Sequence, residues 1–225
     1  MTRYAQHCPV TGAAEVLEQP WTLLIIRELL HGGTTPPELA DGLPGLSRGL
    51  LVKRLRQLAD LGLVTLSRSG DTLRHCTLTE AGRALDTVVE ALGRWGRRRL
   101  PPPRPDDLDP GFLLYDIARG IDLAQLPAAP VSVHFRFGET PGQRWWWLAL
   151  SAEAATVTAE DPRLPIAAQV ECTPSALASA WLGRTSWLDA VRDRTIRFTG
   201  SRDAVRSAVA WLGTSRYCEP AAPPW

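Results

Sequence analysis

The chain has 225 residues, 44% of them hydrophobic and 22% charged, which is enough for one large or two small domains with a solvated surface. Its formal net charge of +1 excludes binding of nucleic acid through overall charge, so any such binding must depend on local basic clusters. No stretch of about 18 apolar residues occurs, and the start, MTRYAQHCPV, lacks the apolar core of a signal peptide, so we expect a cytoplasmic protein without a membrane span.

The cysteines give no sign of a metal site. Cys8, Cys76, Cys172 and Cys218 are scattered along the chain, without a CxxC pair or another metal-ligand spacing. In a reducing compartment such residues are expected to be free thiols rather than disulfides. We expect neither a metal nor a cofactor.

A proline-rich stretch divides the chain. The segment RRRLPPPRPDDLDP occupies 97–110, and its prolines favour extended geometry over a helix. We expect a first domain at 1–100, a short semi-rigid linker at 101–110 and a second domain at 111–225.

The first domain reads as helices followed by a hairpin and a last helix. The predicted elements are helices at 20–30, 35–43 and 48–61, strands at 63–68 and 73–78, and a long helix at 79–99. In the 48–61 helix, Leu51, Leu55 and Leu58 recur at spacings of four and three, as in a helix with one buried face. This order predicts a winged helix-turn-helix domain.

Basic residues lie where a winged helix would meet DNA. Ser47 can cap the 48–61 helix, and Arg48 follows at the end that usually reaches base edges. The polar side of the same helix carries further basic residues, Arg56 among them, and two arginines flank the hairpin turn. The candidate DNA-binding residues are Ser47, Arg48, Lys53, Arg54, Arg68 and Arg74. Solvated helix charge is the alternative, but a basic helix followed directly by a basic-flanked hairpin favours DNA binding.

Several segments resemble the HxlR-type regulators of the wider MarR-like winged-helix group. They are CP (8–9), WTLLIIRELL (21–30), LPGLS (43–47), LLVKRLRQL (50–58), GLV (62–64) and LTEAGR (78–83). The sequence departs from the family pattern in TTPPEL (34–39), which keeps Glu38 and Leu39 but has no aromatic residue, and in a short wing.

The resemblance implies a homodimeric transcription factor on double-stranded operator DNA. The terminal helices of each protomer, at 5–18 and 79–99, would pack together and place two recognition helices in adjacent major-groove half-sites. Trp95 would anchor the dimer, or else pack within its own chain. Cys8 matches the position of a thiol sensor in some family members, with His7 and Arg3 nearby, and packing is its alternative role.

The second domain reads as α+β, with helices against one face of a sheet. The predicted elements are strands at 131–137, 144–151, 154–159, 166–172 and 197–200, and helices after Thr173, around Trp187 and at 201–213. Over about 110–215 this order resembles a sterol-carrier-protein-like domain, which implies an apolar ligand between sheet and helices. The candidate ligand-binding residues are Phe135, Phe137, Trp146, Trp181, Trp187 and Trp211. The alternative is that these rings form an ordinary core.

Three consecutive tryptophans stand in RWWWLAL (144–150). Because strand neighbours point to opposite faces, Trp146 is predicted to face the helices, and Trp145 and Trp147 the other side. There they would join His134 and Arg136, with an arginine stacked on an indole. Two bare indoles make an unusual surface, so we expect this face to be covered or to bind a ligand.

The sequence carries no persuasive catalytic constellation, so we do not expect an enzyme. The function predicted is a dimeric, sequence-specific DNA-binding regulator that responds to a hydrophobic small molecule bound by the second domain. The alternative is a protein that binds or sequesters a small molecule, for instance in resistance, and uses its winged helix as a dimerisation scaffold.

Overall fold

A computed structural model describes residues 4, 7–138 and 142–218 of the chain. The helices and strands fall into two compact units, Met1–Leu92 and Gly93–Trp225, and the whole is a mixed α+β protein. Arg3, the start of the expected 5–18 helix and residues 139–141, between two expected strands, lie outside the described residues. Within those residues, no helix is both long enough and apolar enough to cross a membrane.

The first unit confirms the winged helix-turn-helix layout. Its elements are α1 (Pro9–Leu17), α2 (Thr22–Leu30), α3 (Pro36–Asp41), α4 (Arg48–Asp60), β1 (Val64–Ser69), β2 (Thr72–Leu78), α5 (Glu80–Arg83) and the start of α6 (Asp86–Arg99). The strands β1 and β2 pair antiparallel as the wing. The core lies between the helices, where Ile25 and Ile26 of α2 and Leu51 and Leu55 of α4 have no solvent contact.

Side-chain hydrogen bonds determine where two helices of this unit begin. Thr35 accepts a hydrogen bond from the backbone of Glu38, whose carboxylate accepts one in return from the Thr35 amide, a complete capping box. Ser47 accepts from the Leu50 amide at 3.3 Å and so fixes where α4 begins.

The long helix expected at 79–99 is in fact two helices. Between them, α5 ends at Arg83 and α6 begins at Asp86. A Cβ on Gly82 would lie 2.1 Å from the Leu63 carbonyl oxygen, so α5 packs against the start of β1 at backbone distance. The sequence does not reveal the break, because neither proline nor glycine occurs at 84–85.

The second unit is a five-stranded sheet with helices on one face. Its elements after α6 are α7 (Pro110–Arg119), β3 (Val131–Phe137), β4 (Trp145–Leu150), β5 (Ala155–Thr158), β6 (Ile166–Cys172), α8 (Pro174–Trp181), α9 (Trp187–Arg192), β7 (Ile196–Thr199) and α10 (Arg202–Leu212). The strand order is β5-β4-β3-β6-β7, with β3 and β6 parallel and the other pairs antiparallel. Alternate residues such as Val133, Phe135 and Leu148 are fully buried and meet leucines of the helices.

Helix α7 is absent from the sequence prediction. Asp109 accepts a hydrogen bond from the Phe112 amide at 2.7 Å, and Pro110 takes the first helical position. Leu113, Leu114 and Ile117 are buried on one side. The cap, the proline and this spacing were the available signals for the helix.

The division between the units falls inside α6 rather than at the prolines. A Cβ on Gly93 would lie 2.5 Å from the Tyr217 ring, so that ring packs directly on the helix backbone. The Arg97 guanidinium donates to the carbonyls of Leu182 (2.6 Å) and Gly183 (2.7 Å), just beyond α8. These contacts attach the second half of α6 to the second unit.

Candidate nucleic-acid interface

A groove runs between α4 and the wing. Its basic residues are Arg48, Lys53 and Arg56, all exposed, and the wing supplies Asp71, Thr72 and Leu73. The groove encloses about 570 Å³. Three basic side chains against one carboxylate give this surface a positive charge, which suits phosphate and base edges.

The helical period explains why these residues share the groove. Arg48, Val52 and Arg56 recur every four residues along α4, and Leu51, Leu55 and Leu58 occupy the adjacent, buried side. Arg56 also lines the groove, although it is not among the residues that the sequence proposes for DNA contact. Its four-residue spacing from Val52 was the signal that would have included it.

Arg54 lies apart from the other candidates. It is half-buried, it donates to Gln57 Oε1 at 2.8 Å, and it lines a small cavity with Val16 of α1 and Thr22 of α2. The structure therefore brings Arg48 and Lys53 together with the wing, but not Arg54.

The wing turn is closed by one of its arginines. Arg68 donates to the Asp71 carbonyl at 3.2 Å, and Gly70 at the tip has a φ of +57°, which favours glycine. The strand register shifts between Ser67 and Arg68, so Arg74 on the facing strand has no direct pairing partner. Arg74 is exposed and available to a phosphate.

The cysteine thiols occupy contrasting environments, and all four are free. Cys8 is exposed at the N-cap of α1, where the backbone amides of Val10 and Thr11 lower the pKa of its thiol. Burial raises the pKa of Cys76 to about 11 and that of Cys172 to about 12. The described residues contain no cluster of three or more His, Cys, Asp or Glu side chains able to hold a metal ion.

The six aromatic candidates of the second unit lie in or against its core. Phe135 and Phe137 are buried, and the four tryptophans are partly buried around them. Trp187 and Trp211 donate their ring N–H groups to the carbonyls of Gly213 (2.8 Å) and Gln125 (3.2 Å). Trp146 packs on Gly111, where a Cβ would lie 2.3 Å from the indole. Such packing is expected if the six rings form an ordinary hydrophobic core rather than a ligand site.

The face of the sheet away from the core carries the other two tryptophans, as predicted. The His134 ring stacks between Trp145 and Trp147, with centroids 5.3 and 4.7 Å away. Arg136 lies over the Trp145 ring at 5.4 Å. Burial lowers the pKa of His134, against an opposing effect of Asp161.

Comparison with known proteins identifies the first unit. A model of the HxlR-like helix-turn-helix family matches residues 16–103. The HTH-type transcriptional regulator YodB of Bacillus subtilis is 30% identical over 98 residues, which are 42% of this chain and 88% of YodB. The chain belongs to the HxlR-like helix-turn-helix family.

Two further comparisons each cover less than half of the chain. An uncharacterized HTH-type transcriptional regulator of Mycobacterium tuberculosis, MT3179, is 43% identical over 96 residues, which are 42% of this chain and 60% of MT3179. The match thus spans about three-fifths of the mycobacterial relative. The solved reduced form of YodB is 27% identical, with 44% of this chain and 100% of that chain covered and a TM-score of 0.37.

Proposed function

We propose that this family member is a sequence-specific DNA-binding transcriptional regulator. The groove formed by Arg48, Lys53 and Arg56 beside the wing carries the proposal, because it presents cations at the exposed start of a helix. In this proposal α4 enters the major groove and the wing contacts the backbone through Arg74. The names of the relatives support the same function.

The active form in this proposal is a homodimer. Val88, Leu92 and Trp95 follow one another at spacings of four and three on α6, and each is between 43% and 55% exposed. Such an apolar row on one side of a helix is suited to a second copy of the chain. The two copies of α4 would then address half-sites about 34–36 Å apart.

The second unit is proposed to sense a small molecule, in keeping with its resemblance to a sterol-carrier-like domain. An apolar effector between sheet and helices requires Trp146 and Trp181 to move, because both pack against the core. Its binding would shift the population of DNA-competent dimers.

A DNA-binding measurement separates this function from a sequestering protein. Fluorescence anisotropy with duplexes from the regions flanking the gene, in excess nonspecific duplex, should yield one that binds at least about a thousandfold more tightly than nonspecific DNA. Uniformly weak binding to every duplex, together with saturable quenching of tryptophan fluorescence by apolar metabolites, would favour the sequestering alternative.

We also propose Cys8 as a thiol sensor. It is exposed, and the amides at the start of α1 favour its thiolate. Mild diamide treatment should modify Cys8 and change DNA affinity in the wild type but not in Cys8→Ser. A change in DNA affinity that persists in Cys8→Ser would refute the sensor role.

A further inference from the structure

A second positively charged space lies in the sheet unit, where strands β3 and β6 end. Arg136, Arg144, Arg194 and Arg197 line a cleft of about 290 Å³, together with Glu171 and Thr173. We call it the arginine cleft. Arg136 lies near the end of β3, Arg144 just before β4, and Arg194 and Arg197 around the start of β7, so these strand ends bring the guanidinium groups together.

Only part of this charge is balanced. Glu171 pairs with Arg136 at 2.8 Å and with Arg197 at 3.3 Å, and the hydrogen bond from Arg136 holds the pKa of Glu171 below its usual range. Among the residues that the structure describes, neither Arg144 nor Arg194 forms a side-chain hydrogen bond or ion pair. Two cations therefore line the cleft without a direct ion pair to a described residue, and its one carboxylate is shared by the other two.

The backbone at Arg194 adds an independent observation. Arg194 has a φ of +60°, a left-handed conformation that favours glycine. It follows α9 in a Schellman turn: the Thr195 amide donates to Ala190 (3.0 Å) and the Arg194 amide to Val191 (3.1 Å). Glycine is the usual residue at this position, and the side chain present instead lines the cleft. Strained non-glycine residues of this kind cluster at binding sites.

We propose that the arginine cleft binds the oxyanion group, carboxylate or phosphate, of a small molecule. The guanidinium fork matches either group with two parallel hydrogen bonds. Thr173 is the N-cap of α8, so the positive end of that helix contributes to the same space. The volume lies at the lower end of the range of ligand sites, which indicates a small ligand. The site does not depend on the apolar effector proposed above, because its ligand would bind through an anionic group.

Isothermal titration of the full chain with inorganic phosphate and, separately, with benzoate tests the site directly. We expect one of the two to bind saturably at one site per chain, and the preference identifies the oxyanion. The double variant Arg144→Gln/Arg194→Gln should raise the Kd about tenfold or more. Arg202→Gln/Arg206→Gln, which removes two exposed cations from α10, should leave the Kd unchanged.

The single variant Arg194→Gly distinguishes a loss of anion binding from a loss of folding. It should weaken binding while the melting temperature stays the same or rises, because glycine suits the turn. Absence of saturable binding by either probe up to about 10 mM, or equal losses in both double variants, overturns the proposal. If the cleft double variant instead weakens DNA binding, the cleft is a phosphate-backbone surface. If the wild type binds no duplex specifically, the proposed function is wrong, but the proposal of an anion site is unaffected.

Discussion

At the scale of single residues, we expect the proposed DNA interface to separate base readout from backbone contact. Arg48→Ala should reduce the free energy of specific binding by about 1–3 kcal/mol and relax specificity at one position of the operator. The reason is that Arg48 is the first residue of α4, at the end expected to reach base edges. Arg74→Ala should weaken specific and nonspecific DNA alike and lower the salt slope by about one. Anisotropy titrations at several salt concentrations measure both. Equal effects of the two variants on specificity would contradict this division.

The thiols should differ in reactivity as their pKa values do. At pH 7.5, iodoacetamide should modify Cys8 first, because backbone amides stabilise its thiolate and lower its pKa. Cys76 and Cys172 should react only after unfolding, since their pKa values are raised to about 11 and 12. Mass spectrometry of tryptic peptides follows each site. Early modification of Cys172 in the native chain would contradict this order.

His134 should make the sheet unit sensitive to acid. Its pKa is lowered by burial, so the folded state favours the neutral ring; the stability it contributes is present above about pH 6.5 and is lost as pH falls through the folded value. Thermal melts followed by tryptophan fluorescence report this unit, because every tryptophan except Trp21 belongs to it. The drop in melting temperature from pH 7.5 to 5.5 should be smaller in His134→Gln than in the wild type.

A suitable control is His7→Gln, which changes an exposed histidine near the N-terminus. It should retain the acid sensitivity of the wild type. A His134→Gln variant that is as acid-sensitive as His7→Gln would show that other groups cause the effect.

At the scale of elements, the junction of α2 and α3 tolerates no added atom. Glu28 is 2% exposed, and a Cβ on Gly42 would lie 1.8 Å from its Oε2 atom. Gly42→Ala should therefore destabilise the first unit by about 1–3 kcal/mol. Gly49→Ala in α4 meets nothing within 4 Å and should raise stability by up to about 1 kcal/mol. Urea unfolding followed by circular dichroism compares them, and equal stabilities would contradict the close packing.

Helix α6 should hold the dimer together through its apolar row. Leu92 is 49% exposed, so Leu92→Glu should leave the protomer folded but place a charge in the proposed interface. Sedimentation velocity should show a dimer for the wild type and a monomer for the variant. Leu188→Glu, at a 76% exposed leucine of α9, is the matched control and should remain dimeric. A monomeric wild type would refute the homodimer.

How far the sequence predicts these elements depends on whether their signals are local. The strand at 166–172, the stripe of Leu51, Leu55 and Leu58, and the inward Trp146 follow from periodicity, and the structure confirms them. The break after α5 depends on the distant Leu63 carbonyl, which no local pattern contains. The separation of Arg54 from the groove likewise depends on where α1 and α2 pack.

At the scale of the whole molecule, the proline stretch and the boundary between the two units lie at different positions in the chain. Prolines report where a helix must end, and α6 does end at Arg99, before Pro101. The boundary is decided instead by long-range contacts of Gly93 and Arg97 with residues far along the chain. The arginine cleft has the same origin, since its cations come from two distant stretches of the sequence, 136–144 and 194–197. Tertiary sites of this kind are not visible to local patterns.

The left-handed arginine after α9 has a consequence for protein engineering. Left-handed geometry costs a non-glycine residue roughly 1–2 kcal/mol, so a search for stabilising substitutions would favour glycine at position 194. That replacement would delete one of the two uncompensated guanidinium groups of the cleft. Selecting variants of this chain for thermal stability alone would therefore weaken anion binding in the cleft through one substitution.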